Sequence, residues 1–167
     1  MDRADERQIV GVDAWVADNR DLGRDGTQHI TVEIEQAPPD IAKRLNLDID
    51  QPVVVRRRIR FSNGEPHNLN DTWYPADIAE GTPIMHPADV PQGTIALMRE
   101  LGYAQVRYSD EVETRMPNPN ETHRLRIPPG FPVIVQTRTG YTKERPVKVT
   151  VTIWPGDRTK LIYELPA

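Results

Sequence analysis

The chain has 167 residues, with 21 Lys and Arg against 25 Asp and Glu for a net charge of −4, and it contains no cysteine. That removes disulfides, thiolate nucleophiles and zinc–thiolate sites, and it leaves no basic excess of the kind a free-standing nucleic-acid binder uses against phosphates. No apolar run approaches the roughly 20 residues of a membrane span and no charged-then-apolar leader opens the chain, so one domain with an arm, in a reducing cytosol, is expected.

Proline is abundant, at 16 residues, and scattered between apolar runs, so it reads as punctuation between short elements. The acidic excess is N-terminal: residues 1–50 hold 6 basic and 12 acidic side chains, and residues 51–167 hold 15 and 13. That first part opens on Asp2, Asp5 and Glu6. It continues into a segment where Val12, Trp15, Val16 and Leu22 share one helical face and Gly23 stops the helix. We expect residues 1–27 to be an arm packing on a domain of residues 28–167. No fixed-period repeat is visible, so a solenoid is not expected.

From Ile30 the signals sharpen. ITVEIE alternates as a half-buried strand does. Pro38, Pro39 and Asp40 open a short helix with Ile41, Ala42 and Leu45 inward. PVVVRRRIRF is a strand, Asn63-Gly64 a hairpin turn, and LNDTWY the returning strand. Residues 76–93 read as a loop. TIALMRELGY is an amphipathic helix ending at Gly102, and YSDEVETRM a strand. Asn118 caps a helix with Pro119 at its first position, running through Leu125. FPVIVQTRTGY and PVKVTVTIW form a second hairpin, and TKLIYEL a last strand. Hairpins dominate, so the class is α+β, an antiparallel sheet of about six strands with short helices packed on it.

The best local feature is the arginine run. Alternation places Arg56, Arg58 and Arg60 on one face with Val54, and Val53, Val55, Arg57, Ile59 and Phe61 on the other, mostly core, face. Two like charges about 7 Å apart repel by roughly 0.6 kcal/mol in water and about 2.4 at an effective dielectric of 20. The face is therefore either solvated or a wall that awaits an anion. Register decides what joins it. A two-residue Asn63-Gly64 loop sets Arg58 against Leu69 and Arg60 against His67. A three-residue loop with a bulge at the glycine sets Arg58 against Asn70 and Arg60 against Asn68.

In the second hairpin, Val147, Val149, Val151 and Ile153 make a core face, and Lys148, Thr150, Thr152 and Trp154 share the other, either an exposed side or a pocket wall. Thr94, at a helix start, is a first-turn or capping residue whose hydroxyl also suits an anion. His29, His67, His86 and His123 lack metal-ligand spacing. No GxSxG, Walker loop or GxGxxG occurs, and no carboxylate pair is marked out for acid–base work. No cofactor, metal site or catalytic residue is expected.

The segments EIEQAPPDIAKRLNL, PVVVRRRIRFSNGEP with NDTWYP, TIALMRELG, EVETRMPNPNETHRLRIPPGFPVIVQTRTGY and ERPVKVTVTIWPGDR come in an order that resembles the UTRA domain. That is the effector-binding module of HutC-type regulators in the GntR family, and the likeness runs from about Val12 to Leu165. It implies a chorismate-lyase-like sheet with a pocket between sheet and helices, and a homodimer that reaches operator DNA only through a winged helix-turn-helix outside this chain. Carried over residue by residue, Arg58 and Arg60 match the arginines that hold an anionic effector group. Thr94 matches a serine at the helix start, and Ala96 a tyrosine. Asn70 and Lys148 stand where glutamates are common, Trp154 where a tyrosine is, and Trp15 in the arm that can cap the pocket, between Ala14 and Val16 in place of hydroxyl residues. With arginines kept and acids replaced, an anionic metabolite other than a phosphorylated amino sugar is expected. A chorismate-lyase-like enzyme or a ligand-free dimerisation module are the alternatives.

Overall fold

The structure, a computed structural model, describes residues 14–167; Asp2, Asp5, Glu6 and Val12 lie outside the described residues. Helix α1 spans Ala14–Asp21 and gives way at Gly23, whose φ is 69°. Six antiparallel strands follow, interrupted by short helices: β1 Gly26–Gln36, α2 Pro39–Leu45, β2 Pro52–Ser62, β3 Glu65–Pro75, α3 Ala76–Ala79, a 3-10 turn Pro83–Met85, α4 Thr94–Glu100, β4 Arg107–Arg115, α5 Pro119–Leu125, β5 Val133–Tyr141 and β6 Pro146–Pro155. They form one sheet in the order β1-β2-β3-β6-β5-β4.

Two expectations are corrected. The stretch 76–93 is not simply a loop: α3 and the 3-10 turn bury Ile78, Ala79 and Ile84, runs too short to show a helical period in sequence. TKLIYEL forms no strand, and its Ile162 and Leu165 are exposed. Alternation says which face a strand would bury, but it supplies no ladder partner.

The sheet is built twice. Helix α2 and helix α5 differ by 80 positions end for end, both close on a left-handed residue (Asn46, φ 54°, and Arg126, φ 51°), and both feed a strand and a hairpin. At the same offset stand Pro39 and Pro119, Leu45 and Leu125, Val53 and Val133, Arg58 and Arg138, Pro66 and Pro146. Register repeats too: Glu35 faces Val53 as Arg115 faces Val133. Asp71 and Val151, themselves 80 apart, pair with each other, so the two-fold relating the halves passes between them. A single duplication is therefore present where no fixed-period repeat is visible in the sequence, because few identities survive and strand register carries the rest.

Each half has its own core, and the second also has a helix cap. Asn118 Oδ1 accepts from the Glu121 amide and Glu121 accepts from the Asn118 amide, both at 2.9 Å, while Arg115 grips the Glu121 carboxylate at 2.7 and 2.8 Å; this is a capping box locked by an arginine fork. Helix α2 packs Ile41, Ala42 and Leu45 on Val53, Val55, Trp73 and Val149, and α5 packs Leu125 near Leu69, Val133 and Val135. Arg57 shares this helix-covered face but is half-exposed, bonding Glu33 at 2.9 Å and Glu35 at 2.8 Å. The opposite face carries a third cluster, where Val54, Tyr74 and Val147 meet Ile78, Ile84, Leu97 and Met98. The sheet is thus packed on both sides over part of its area.

Replacing Asn118 by Ala removes one half of the capping box. It should cost about 1 kcal/mol, read as a lower denaturant midpoint with an unchanged slope.

Candidate functional site

The first hairpin solves the register question by a route that neither simple loop describes. Ser62 pairs with Glu65 and Phe61 with Pro66, so the turn is two residues, Asn63-Gly64, both at positive φ (50° and 78°) as a type I′ turn demands. The pairing then shifts: Arg60 faces Asn68 and Arg58 faces Asn70. His67 is the extra residue, a bulge in β3. The loop is thus the two-residue one, while the Arg58–Asn70 pairing tied in the sequence reading to a three-residue loop is present. Val147 plays the same part in β6, since Tyr141 faces Pro146 and Gly140 faces Lys148.

With this register, two polar rows cross the middle of the sheet. One runs Arg58–Asn70–Thr152–Gln136, and the next runs Arg56–Thr72–Thr150–Arg138. Each is the other's image under the 80-residue offset. Arg58 donates to Asn70 Oδ1 at 3.0 Å and towards Thr72 Oγ1 at 3.4 Å; Asn70 Nδ2 donates to Thr152 Oγ1 at 2.8 Å; Thr72 and Thr150 share a hydrogen bond of 3.1 Å. These rows floor a cavity of about 310 Å³, roofed by Val90, Gly93, Thr94 and Ile95 and closed at one end by Trp15 and Asp18 of α1.

Of the residues singled out from sequence, Arg58, Arg60, Asn70, Thr94, Lys148, Trp154 and Trp15 line this cavity, whereas Ala96 does not. Ile95 takes the wall instead, because successive helical residues point about 100° apart. Sequence reasoning missed Gln136, Arg138, Thr72 and Asp18; the offset from Arg58 was the signal that could have found Arg138. Arg56 also lines the cavity, but its guanidinium donates to the carbonyls of Ile84, His86 and Ala88 at 2.6–2.8 Å. It anchors the roof to the floor.

The matched arginines differ in their electrostatics. Arg138 faces Asp110 across β4–β5 and grips its carboxylate twice at 2.7 Å, a hydrogen-bonded pairing that raises the guanidinium pKa. Arg58 faces Ile30 across β1–β2. It is 6% exposed, its Nε has no acceptor, and among the described residues it has no ion pair. Lys148 is equally buried; burial first, then Arg58 and Arg138, push its pKa down to about 7.

The arm is docked on the tip of the first hairpin. Trp15 Nε1 donates to Phe61 O at 3.2 Å, its ring lies 4.5 Å from that of His67, and the Arg60 guanidinium sits 5.8 Å from its centroid. Arg60 also reaches Gln28. Burial, followed by Arg60, Arg158 and Arg24, holds the His67 imidazole below its usual pKa. Asn19 is buried beneath the helix, accepting from Ser62 Oγ at 2.7 Å. A Cβ at Gly26 would lie 2.7 Å from Asn19 Cβ, so only glycine lets arm and strand approach this closely.

Among the described residues no three His, Asp or Glu side chains form a metal-ligating group, and no helix is long and apolar enough to cross a membrane.

Comparison with known proteins follows the same lines. The family model described as the UTRA domain matches residues 22–160. An uncharacterised HTH-type transcriptional regulator of Streptomyces coelicolor is 26% identical over 158 residues, covering 90% of this chain and 59% of the relative. A crystal structure assigned to the GntR family of transcriptional regulators superposes with a TM-score of 0.80 at 27% identity, over 89% of this chain and 62% of the other. The effector domain of PhnF from Mycobacterium smegmatis gives 0.77 at 21% identity, over 92% and 94% of the two chains, a likeness of fold. The present chain thus spans about three-fifths of the full-length proteins it resembles, and its α+β sheet has the chorismate-lyase-like architecture expected.

Two outcomes test this geometry. Lys148 has a folded-state pKa below its unfolded value of 10.5, so the unfolded state binds the proton more tightly between about pH 7 and 10.5. The resulting penalty is fully present below pH 7, and stability rises with pH through that window. Lys148→Met should therefore raise the thermal midpoint most at pH 6 and progressively less towards pH 10. Gly26→Ala should undock the arm, seen as a red shift of tryptophan emission absent from the same substitution made in a Trp15→Phe background.

Proposed function

The chain belongs to the UTRA domain family, and from that premise we propose that it is the effector-sensing domain of a bacterial GntR-family, HutC-type transcriptional regulator whose ligand is a small anionic metabolite. Residues 1–27 serve as the arm that leads to a DNA-reading domain, and residues 28–167 as the sensor. The observation that carries this reading is Arg58. A buried guanidinium without an ion pair among the described residues is costly, and its image Arg138 has one with Asp110, so the cost is met at one site of the duplicated wall and left open at the other.

Arg60 links ligand to arm. It stands beside Arg58 on the cavity wall and also contacts Trp15 and Gln28. An anion held at Arg58 draws on its neighbour Arg60 and re-seats it, and with it the indole that closes the cavity. In a homodimer this changes how two arms leave their domains, and so whether two DNA readers meet half-sites about 34 Å apart. Coupling of this kind is reciprocal and worth typically 1–3 kcal/mol. The enzyme alternative needs an acid aimed into the cavity; among the described lining residues the carboxylate is Asp18, on the arm and not on the sheet.

Calorimetry against a panel of anionic metabolites should find one that wild type binds and that Arg58→Ala binds at least tenfold more weakly, the loss of a charged hydrogen bond. In the full-length regulator that metabolite should change operator affinity between about fivefold and 150-fold. Unchanged operator affinity at saturating ligand would refute the sensor reading.

A further inference from the structure

The cavity's own cations differ in how they are answered, and the difference specifies a ligand charge. Arg138 is matched by Asp110, and Arg56 is consumed by three backbone carbonyls. Arg60 leans on Trp15 and Gln28. Arg58 and Lys148 remain. Both are 6% exposed, they project from opposite halves of the duplication into the same cavity, and among the described residues neither has an ion pair. Among the described residues Lys148 also makes no hydrogen bond, and Arg58 Nε has no acceptor. Building on the reading of this cavity as an effector site, we propose that it selects a compact doubly charged anion, one charge answered by Arg58 and the other by Lys148. A monoanion leaves one of two buried cations uncompensated, which low-polarity surroundings penalise.

The proposal has a protonic signature. Of the charged groups that share the cavity with Lys148, Arg58 from β2 and Arg138 from β5, with Asp110 of β4 behind it, act on it; Arg56 and Arg60 from β2 and Asp18 from α1 also line the cavity, and the floor is otherwise uncharged Asn70, Thr72, Gln136, Thr150 and Thr152. With burial the main cause and the neighbouring cations adding to it, its pKa falls to about 7, so above neutral pH the cavity holds mostly the amine. A dianion favours the ammonium form. Binding then takes a proton from solvent at pH 8, approaching one per site, and takes almost none at pH 6. If only the ammonium form binds, affinity falls about tenfold between pH 6 and pH 8.

Sulfate and methyl sulfate test this at constant ionic strength, because they share a head group, differ by one charge and do not titrate in this range. Calorimetry in buffers of different ionisation enthalpy counts the protons. Wild type should bind sulfate at least tenfold more tightly than methyl sulfate at pH 6, with proton uptake at pH 8. Lys148→Met should bring the two anions within about threefold and abolish the uptake, while still binding methyl sulfate through Arg58. Lys148→Arg, whose charge is permanent, should keep the preference for sulfate and lose both the uptake and the pH dependence. Equal binding of the two anions by wild type, sulfate binding without uptake, or uptake that persists in Lys148→Arg overturns the dianion assignment. The effector reading survives those results if Arg58→Ala still removes methyl sulfate binding. If wild type binds neither anion the dianion assignment falls, and the effector reading falls with it only if the metabolite panel also yields no ligand sensitive to Arg58→Ala.

Discussion

A guanidinium inside a sheet, opposite an isoleucine, is the constraint around which this domain is arranged. Arg58 faces Ile30, and its image Arg138 faces Asp110. The backbone around the two is the same in register and pairing, but an isoleucine stands across from one and an aspartate across from the other. That difference pairs one arginine of the polar wall with a carboxylate and leaves the other without an ion pair among the described residues. Neighbouring hydroxyl and amide groups bind one another across the two-fold, so the floor is rigid and its hydrogen-bonding capacity largely spent. What remains for a guest is charge.

Duplication also explains how the cavity acquires an end closed by the arm. Both hairpins carry a bulge one residue after the first inner pair of the returning strand, at His67 and at Val147. A bulge re-aims the side chain it releases. In β6 that side chain is Val147, which joins the apolar cluster under α3 and α4. In β3 it is His67, which meets Trp15 of the arm. The same backbone device thus secures the roof in one half and docks the arm in the other.

The cavity persists because its roof is held by polar means. Three carbonyls from residues 84–88 converge on Arg56, and each charged hydrogen bond of this type is worth more than a neutral one. An apolar roof would tend to settle onto the floor and fill the void, as interiors close-pack. A buried cation that holds backbone acceptors fixes the distance between the layers, and it spares Arg58 and Lys148 from being used for the same purpose.

Much of the fold was legible in the residues. Alternation located β1 to β6, Asn63-Gly64 marked a tight turn, and Asn118-Pro119 marked a capped helix, because each signal is local and acts within a few residues. The motifs resembling a UTRA domain brought seven cavity residues into view. The register of β3, the fate of Arg56, the mispredicted strand at TKLIYEL and the part played by Arg138 were not legible, since each depends on a partner tens of residues away. By itself the sequence determined which segments become strands and helices and which face of each strand is polar, since those follow from side-chain period and backbone preference. Only the tertiary structure decided which of several similar cations would be paired, which would brace the roof and which would be left to face the cavity, because a counter-charge is a matter of position across strands and not of order along the chain.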